Sequence, residues 1–274
     1  DSDIDVLSAS LSYDRVAWYE NDGSENFTVH TIDDDAISAK FVNTVDLDSD
    51  GDIDVLAIHE SGGFGGKIIA WYENDGSENF TKYVIKDGLE DPYEVYGLDI
   101  DGDGDLDIIS GNQRGKLEWL LNRGTDKKPN WIVHDANISQ IDVGSFSTLL
   151  LQVMDRVEDL DLFVGNSNGL TIYLDNKGSK TAPQVVLRNT RISGIQMKAN
   201  SAPTIWKWNE DEHPDLVVGG REGFLSLVRH LPPERSPALR GRTMEAEHWK
   251  NIKSIGNSLS LKHLERCRRG AFFI

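Results

Sequence analysis

The stretch AWYENDGSENFT occupies Ala17–Thr28 and recurs letter for letter at Ala70–Thr81, 53 residues later. A fixed period of this length is typical of propellers and solenoids, which use one supersecondary unit several times. In each copy an Asp-Gly pair separates two runs rich in aromatic or β-branched residues, which is a strong hairpin signal. We therefore interpret the stretch as a strand, a tight turn and the start of the next strand, rather than as a binding site used twice.

Weaker copies of the same unit follow along the chain. A Gly-x-x-x-Gly frame appears three times at a spacing of 54 residues, as GNQRG, GNSNG and GGREG. Five aspartates, each followed by a short apolar run, index the units at spacings of 49, 53, 54 and 54 residues: Asp5, Asp54, Asp107, Asp161 and Asp215. The sequence thus predicts five repeats of about 53 residues.

Inside one unit the apolar residues follow a period of two. The second unit contains the runs FVNTVDL, IDVLAI, IIAWYEN and FTKYVI, separated by an acidic loop, a Gly-rich turn and DGSEN. Four short strands in about 50 residues form a propeller blade. We predict an all-β fold, a β-propeller of four-stranded blades over residues 1–238, with the Trp-Tyr pairs of the duplicated stretch packed between blades.

The last 36 residues depart from this frame. Residues 239–274 carry eight basic and three acidic residues and none of the repeat markers. We expect them to form a basic non-repeat tail or an eroded final blade.

Two nine-residue loops are dense in carboxylates. They read DLDSDGDID at Asp46–Asp54 and DIDGDGDLD at Asp99–Asp107, and both fit the pattern D-x-D-x-D-G-x-x-D. Ca²⁺ binds about six to eight oxygens, which alternate carboxylates in a curled loop supply, and glycine permits the sharp turn. Position 12 lacks the glutamate of an EF-hand, and a strand follows instead of a helix. The alternative is an acidic turn that binds nothing, but five carboxylates in nine residues repel one another without a counter-ion.

The predicted metal ligands fall into a strong and a weak set. Zn²⁺ is disfavoured because the loops contain no His or Cys, and Mg²⁺ because it keeps several waters. The strong set comprises Asp46, Asp48, Asp50, Asp52, Asp54, Asp99, Asp101, Asp103, Asp105 and Asp107. The weak set, from the first and fifth units, comprises Asp1, Asp3, Asp5, Asn209, Asp211 and Asp215. The fourth unit has Val153 and Val157 at ligand positions, and we expect no calcium there.

Composition narrows the range of partners. The formal net charge is −18, which argues against binding to nucleic acid or to anionic membrane surfaces, since both are polyanions. No apolar run approaches the roughly 20 residues that span a bilayer, so membrane insertion is not expected. The single cysteine, Cys267, excludes an intrachain disulfide.

The acidic loops, the apolar strand after each, and the WYEN-DG-x-x-x-F strand and turn resemble the FG-GAP/VCBS repeat family, which includes the propeller of integrin α subunits. The resemblance covers about residues 1–238. It implies a β-propeller whose loops hold Ca²⁺ to keep adjacent strands in place, with Asp52 and Asp105 contributing backbone oxygens. The resemblance also implies about seven blades, sometimes six or eight, so five units indicate either part of a larger ring or a five-bladed form.

Three function classes remain open from the sequence. The first is an extracellular, periplasmic or cell-surface module that binds carbohydrate or protein, since these compartments supply enough Ca²⁺ for such loops. The second is a polysaccharide lyase acting by β-elimination on a uronic-acid glycan, with His59 as base and Arg114 and Arg221 neutralising the uronate; some such lyases resemble this propeller type. The third is a calcium-stiffened spacer. For the lyase residues, the alternative is one loop histidine and two solvated arginines.

Overall fold

The computed structural model describes residues 3–61, 66–134, 138, 141–153, 160–179, 181–189, 192, 195–206, 215–223, 225–230 and 249–255. Three residues of the weak metal set, Asp1, Asn209 and Asp211, lie outside them, as does the centre of the Gly-rich turn after His59. Among the described residues, no helix is long and apolar enough to cross a membrane.

Strands of the described residues form five antiparallel sheets that follow one another along the chain, each built from consecutive strands. The first contains β1 (Val6–Ser10), β2 (Arg15–Asn21) and β3 (Phe27–Asp33). The second contains β4 (Phe41–Val45), β5 (Asp54–Glu60), β6 (Lys67–Asn74) and β7 (Phe80–Leu89). The third contains β8 (Pro92–Leu98), β9 (Asp107–Asn112), β10 (Leu117–Asn122) and β11 (Trp131–His134).

The fourth sheet contains β12 (Thr148–Val153), β13 (Leu160–Gly165), β14 (Thr171–Asn176) and β15 (Val185–Asn189). The fifth contains β16 (Ala202–Trp206), β17 (Asp215–Gly219), β18 (Leu225–His230) and β19 (Trp249–Ile255). The predicted fold class, an all-β propeller of four-stranded blades, is confirmed, with three described strands in the first blade. Residues 249–255 of the predicted tail are the outer strand of the fifth sheet, paired with β18.

The chain divides into two compact units. The first includes the first three sheets, up to Ser147, and the segment Asn176–Val186. The second includes Asp161–Asp175 and the fifth sheet. In the second unit, Phe163 and Tyr173 pack against Leu216 and Val228, so apolar contacts join its two sheets.

In the first unit, β6 carries the core on both faces. Trp71 lies in a cluster with Val95 and Leu120 of the third sheet. Tyr72, on the opposite face, lies in a cluster with Val16 of the first sheet and residues of the following loop. Adjacent residues of a strand point to opposite faces, so the Trp-Tyr pair packs against both neighbouring blades, as predicted.

The first copy of the duplicated stretch is packed less deeply. Trp18 and Tyr19 are only half-buried. The Trp18 ring stacks on the ring of His30 with 4.3 Å between centroids, and His30 Nε2 lies 2.9 Å from a carboxylate oxygen of Glu20. The same twelve letters therefore form the same strand and turn in two environments of different burial.

Candidate metal sites

Each acidic loop connects the first and second strands of its sheet. In the second sheet, Asp46 curls the loop by accepting hydrogen bonds from the backbone amides of Asp50 at 3.0 Å and Gly51 at 3.1 Å. Gly51 has a φ of 98°, a conformation that favours glycine. The glycine predicted to permit the sharp turn therefore has that role here.

The last aspartate of each loop fastens the loop to two strands. Asp54 is fully buried; its Oδ2 accepts from the Leu47 amide at 3.0 Å and its Oδ1 from the Asn74 amide at 2.8 Å. Asp107 accepts in the same way from the amides of Ile100 at 2.9 Å and Asn122 at 2.8 Å. Burial raises the pKa of Asp107 to about 6, although the backbone amides oppose the shift.

Three carboxylates converge in each of the two loops. Asp46, Asp48 and Asp54 each offer an oxygen, and these oxygens lie within 4.8 Å of one another. Asp99, Asp101 and Asp107 form the equivalent group in the third sheet. In both loops these are positions 1, 3 and 9 of the predicted ligand pattern.

The carboxylates at position 5 have other contacts. Asp50 Oδ1 accepts from the amide of Asp52 at 3.0 Å, and this hydrogen bond is the main reason that the pKa of Asp50 lies below its ordinary value. Asp103 Oδ1 accepts from the amide of Asp105, also at 3.0 Å. Neither residue belongs to the two convergent groups.

The convergent groups contain buried oxygens that fit a hard cation. Asp48 and Asp101 are 1% and 2% exposed, and the Oδ1 atom of each has no hydrogen-bond partner among the described residues. The Oδ1 of Asp99 is in the same situation. A buried carboxylate oxygen without a partner is unfavourable, and an all-oxygen donor set suits Ca²⁺ or Mg²⁺ rather than Zn²⁺.

The position-7 aspartates explain the duplicated turn. A Cβ atom added to Gly76 would lie 2.5 Å from Oδ2 of Asp52, and one added to Gly23 would lie 2.9 Å from Oδ2 of Asp3. Both glycines also have positive φ, 75° and 77°. In these two sheets the side chain of the position-7 aspartate therefore packs against the glycine of DGSEN, in space that a Cβ atom would occupy.

The third sheet replaces this contact with a second carboxyl group. Asp105 lies beside Asp126, and partial burial together with that neighbour raises the pKa of Asp105. Asp126 belongs to the turn between β10 and β11, which takes the place of DGSEN. The turn of this sheet therefore brings an additional acidic residue to its loop.

The weaker loops are only partly described. Asp5 Oδ1 accepts from the Asn21 amide at 2.8 Å, which repeats the arrangement of Asp54 and Asp107. Asp215 is fully buried in β17. In the fourth repeat, where no calcium is predicted, the buried Asp161 accepts a hydrogen bond from the Tyr173 hydroxyl at 3.1 Å.

Sequence reasoning missed an asparagine that organises the turn after β2, β6, β10 and β14. Asn74 Oδ1 accepts from the amides of Gly76 and Glu78, each at 3.2 Å. Asn122 Oδ1 accepts from Gly124 at 2.9 Å and Asn130 at 3.0 Å. The signal was present as spacings of 53, 48 and 54 residues between equivalent positions: Asn21, Asn74, Asn122 and Asn176.

His59, the predicted base, is buried inside the first unit. It is 1% exposed; its Nδ1 lies 2.8 Å from the Glu60 carbonyl and its Nε2 3.1 Å from the Tyr72 hydroxyl. The Tyr72 hydroxyl also donates to Asp33 at 2.7 Å, and Lys82 pairs with the same Asp33 oxygen at 2.8 Å. Burial lowers the pKa of His59. These contacts make His59 part of a polar network between the first two sheets.

The two arginines of the lyase hypothesis lie on the surface. Arg114 is exposed in the turn between β9 and β10 and pairs with Glu90 at 3.0 Å. Arg221 is exposed in the turn after β17, and its amide donates to the Ala199 carbonyl at 3.0 Å. Arg114 belongs to the first unit and Arg221 to the second.

The first unit also contains a cavity of about 550 Å³ beside β9, β10 and β11. Its lining includes the charged residues Lys86, Glu90, Lys116 and Glu118, together with His134. Apolar residues, among them Leu117 and Val133, line it as well, so the cavity suits a ligand that has both apolar surface and hydrogen-bonding groups.

Comparison with protein-family models matches residues 1–57 and 46–110 to the FG-GAP-like repeat. The matched residues contain both copies of the duplicated stretch and both convergent carboxylate groups. A search of curated proteins returns no match to this chain.

Proposed function

We propose that this array of FG-GAP-like repeats is a calcium-binding β-propeller that serves outside the cell as a binding or adhesion module for a carbohydrate or a protein. One observation carries the calcium part of the proposal: in two equivalent loops, three carboxylates converge within 4.8 Å and present buried oxygens without a partner. Ca²⁺ accepts several carboxylates in flexible geometry, whereas Mg²⁺ uses one or two and keeps its water.

The bound ion would act on the fold rather than in catalysis. In the second sheet, Asp46 shapes the loop and Asp54 ties it to β5 and to the end of β6. A divalent cation between them and Asp48 neutralises their mutual repulsion and holds the loop against both strands. This role is the one that the described geometry supports best.

Calcium availability supports an extracellular, periplasmic or cell-surface location. Loops of this kind in extracellular modules work at Ca²⁺ concentrations of about 10⁻⁴ to 10⁻³ M, which a cytosol does not supply. The formal net charge of −18 is also partly neutralised when calcium is bound, and it continues to disfavour nucleic acid as a partner.

The cavity beside β9, β10 and β11 is the surface that we assign to the ligand. Its lining combines charged and apolar residues, which suits a carbohydrate or a protein segment, since both present hydrogen-bonding groups together with apolar surface. For β-elimination the base His59 would have to reach the substrate, but it is buried, and Arg114 is already paired with Glu90. We therefore propose binding without turnover.

Thermal unfolding in EDTA and in excess Ca²⁺, with bound calcium measured by elemental analysis, tests the metal. A ligand at about 100 times its Kd stabilises a protein by about 2.7 kcal/mol per site, so calcium should raise the Tm by several degrees. Asp48→Asn and Asp101→Asn should each remove most of one site's contribution, whereas Asp34→Asn, at an exposed residue outside the loops, should not. Equal Tm values with and without calcium, with no bound metal, would refute the proposal.

Glycan arrays and protein-capture assays test the ligand. We expect saturable binding that weakens in Lys116→Ala, which alters the cavity, and not in Lys40→Ala, which lies outside its lining. Release of unsaturated uronate from an acidic polysaccharide, followed by ultraviolet absorbance, would instead favour the lyase.

A further inference from the structure

The turn between β10 and β11 carries two basic residues that contact the two acidic loops. Arg123 Nη1 lies 2.6 Å from Oδ2 of Asp101 and 3.7 Å from Oδ2 of Asp103. Lys127 Nζ lies 2.9 Å from Oδ2 of Asp48 and 3.5 Å from Oδ2 of Asp50. One turn of the third sheet thus contacts the acidic loop of its own sheet and that of the second sheet.

Both bases contact carboxylates that the metal needs. Asp48 and Asp101 occupy position 3 of their loops, and each belongs to a convergent group of three. In each of these buried residues, one oxygen pairs with the base and the other has no partner among the described residues. Each base therefore pairs with one oxygen of its aspartate, and the other oxygen remains for a cation.

The backbone of the turn is fixed while its basic side chains can leave. Thr125 and Lys128 exchange two backbone hydrogen bonds at 3.2 and 2.9 Å, and Asn122 Oδ1 holds the amide of Gly124. The side chains of Arg123 and Lys127 are 42% and 60% exposed. A rigid turn thus presents two cations whose charged groups are free to move into water.

We propose that Lys127 and Arg123 are tethered internal cations that compete with Ca²⁺ for the second and third loops, respectively, and thereby set the calcium concentration to which the protein responds. This inference rests on the proposed calcium function. To bind, Ca²⁺ must either displace the base from the aspartate or accept a like charge a few ångströms away. Both routes weaken binding.

The competition has a signature that a merely structural ion pair lacks. Removing the base takes a partner from a buried carboxylate, so the metal-free protein loses stability. The same change removes a positive charge beside the ion, so calcium affinity rises. A residue that only supported the fold would lower stability with and without calcium and would not strengthen binding.

Lys127→Gln and Arg123→Gln in the full chain test the proposal, with Lys128→Gln as the matched control. Lys128 lies in the same turn, is exposed and forms no ion pair among the described residues. Calorimetric Ca²⁺ titration should give a Kd lower by roughly 5- to 20-fold at one site in each of the first two variants at low salt, and a smaller change at high salt. The control should change less than about 2-fold.

The outcomes are distinguishable. If Lys127→Gln and Arg123→Gln bind calcium no more tightly than Lys128→Gln, while the wild type binds two ions, the competition is refuted and the proposed function stands. If the wild type binds none and the variants do, the bases block the sites: the competition is supported, but the proposed calcium function of the wild type is refuted. If neither the wild type nor the variants bind, both proposals are refuted.

Discussion

Replacement of Gly76 by alanine should destabilise the protein through two separable effects. Gly76 has a φ of 75°, and a left-handed conformation disfavours a residue with a Cβ by roughly 1–2 kcal/mol. The new Cβ would also lie 2.5 Å from Oδ2 of Asp52, so the carboxylate must rotate away, which costs about 0.5–1.5 kcal/mol if it leaves its rotamer. We expect a total loss of about 1.5–3.5 kcal/mol.

Gly88→Ala is the matched control for the backbone effect. Gly88 has a φ of 65°, and a Cβ there would meet no atom within 4 Å, so only the conformational term remains. Urea-induced unfolding, followed by tryptophan fluorescence, compares the two variants. We expect Gly76→Ala to be the more destabilising by about 0.5–1.5 kcal/mol.

A double-mutant cycle isolates the contact with the acidic loop. In an Asp52→Ala background, Gly76→Ala should be no more destabilising than Gly88→Ala, because the oxygen that the new Cβ would meet is gone. The reasoning is refuted if Gly76→Ala and Gly88→Ala are equally destabilising, or if their difference persists without Asp52.

Three further predictions concern polar groups inside the first unit. Tyr72→Phe should lower stability by about 1–3 kcal/mol in urea unfolding, because the hydroxyl that donates to Asp33 at 2.7 Å is lost; an unchanged midpoint would contradict the network. Burial lowers the pKa of His59 in the folded protein, so on acidification His59 is protonated first in the unfolded chain, near pH 6.5. The free energy of unfolding should therefore fall as the pH decreases from that value through the folded pKa. His59→Gln should remove this part of the pH dependence between pH 5 and 7. Asn122→Ala should lower the Tm by several degrees, since the amides of Gly124 and Asn130 lose their acceptor. Asn43→Ala should change it little, since among the described residues the Asn43 side chain accepts only from the adjacent amide.

The fold was predictable from the sequence because its determinants are local and repeated. Alternation with a period of two, the Asp-Gly turns and the recurring aspartates at Asp54 and Asp107 specify strands, hairpins and repeat boundaries without any long-range information. The packing of Trp71 and Tyr72 between blades follows from the same alternation. The two convergent carboxylate groups were recognisable for the same reason, since each lies within nine consecutive residues.

What the sequence did not reveal depends on contacts between distant residues. His59 was interpreted as a residue at the edge of a Gly-rich turn, but its burial depends on Tyr72 and Asp33 from neighbouring strands. Lys127 and Asp48 are 79 residues apart, and nothing near either residue indicates that they meet. The second function of Asp54, as an acceptor for the Asn74 amide, likewise requires the folded register of β5 and β6.

The alternation of Trp71 and Tyr72 on β6 has a mechanical consequence. The side chains of Tyr72 and Trp71, which contact the first and third sheets, leave the backbone at adjacent positions, so a single peptide unit joins these two contacts. That unit lies in the middle of a sheet, hydrogen-bonded to β5 on one side and β7 on the other. A displacement imposed on one face of the second sheet is therefore transmitted to the packing on its other face through this hydrogen-bonded backbone.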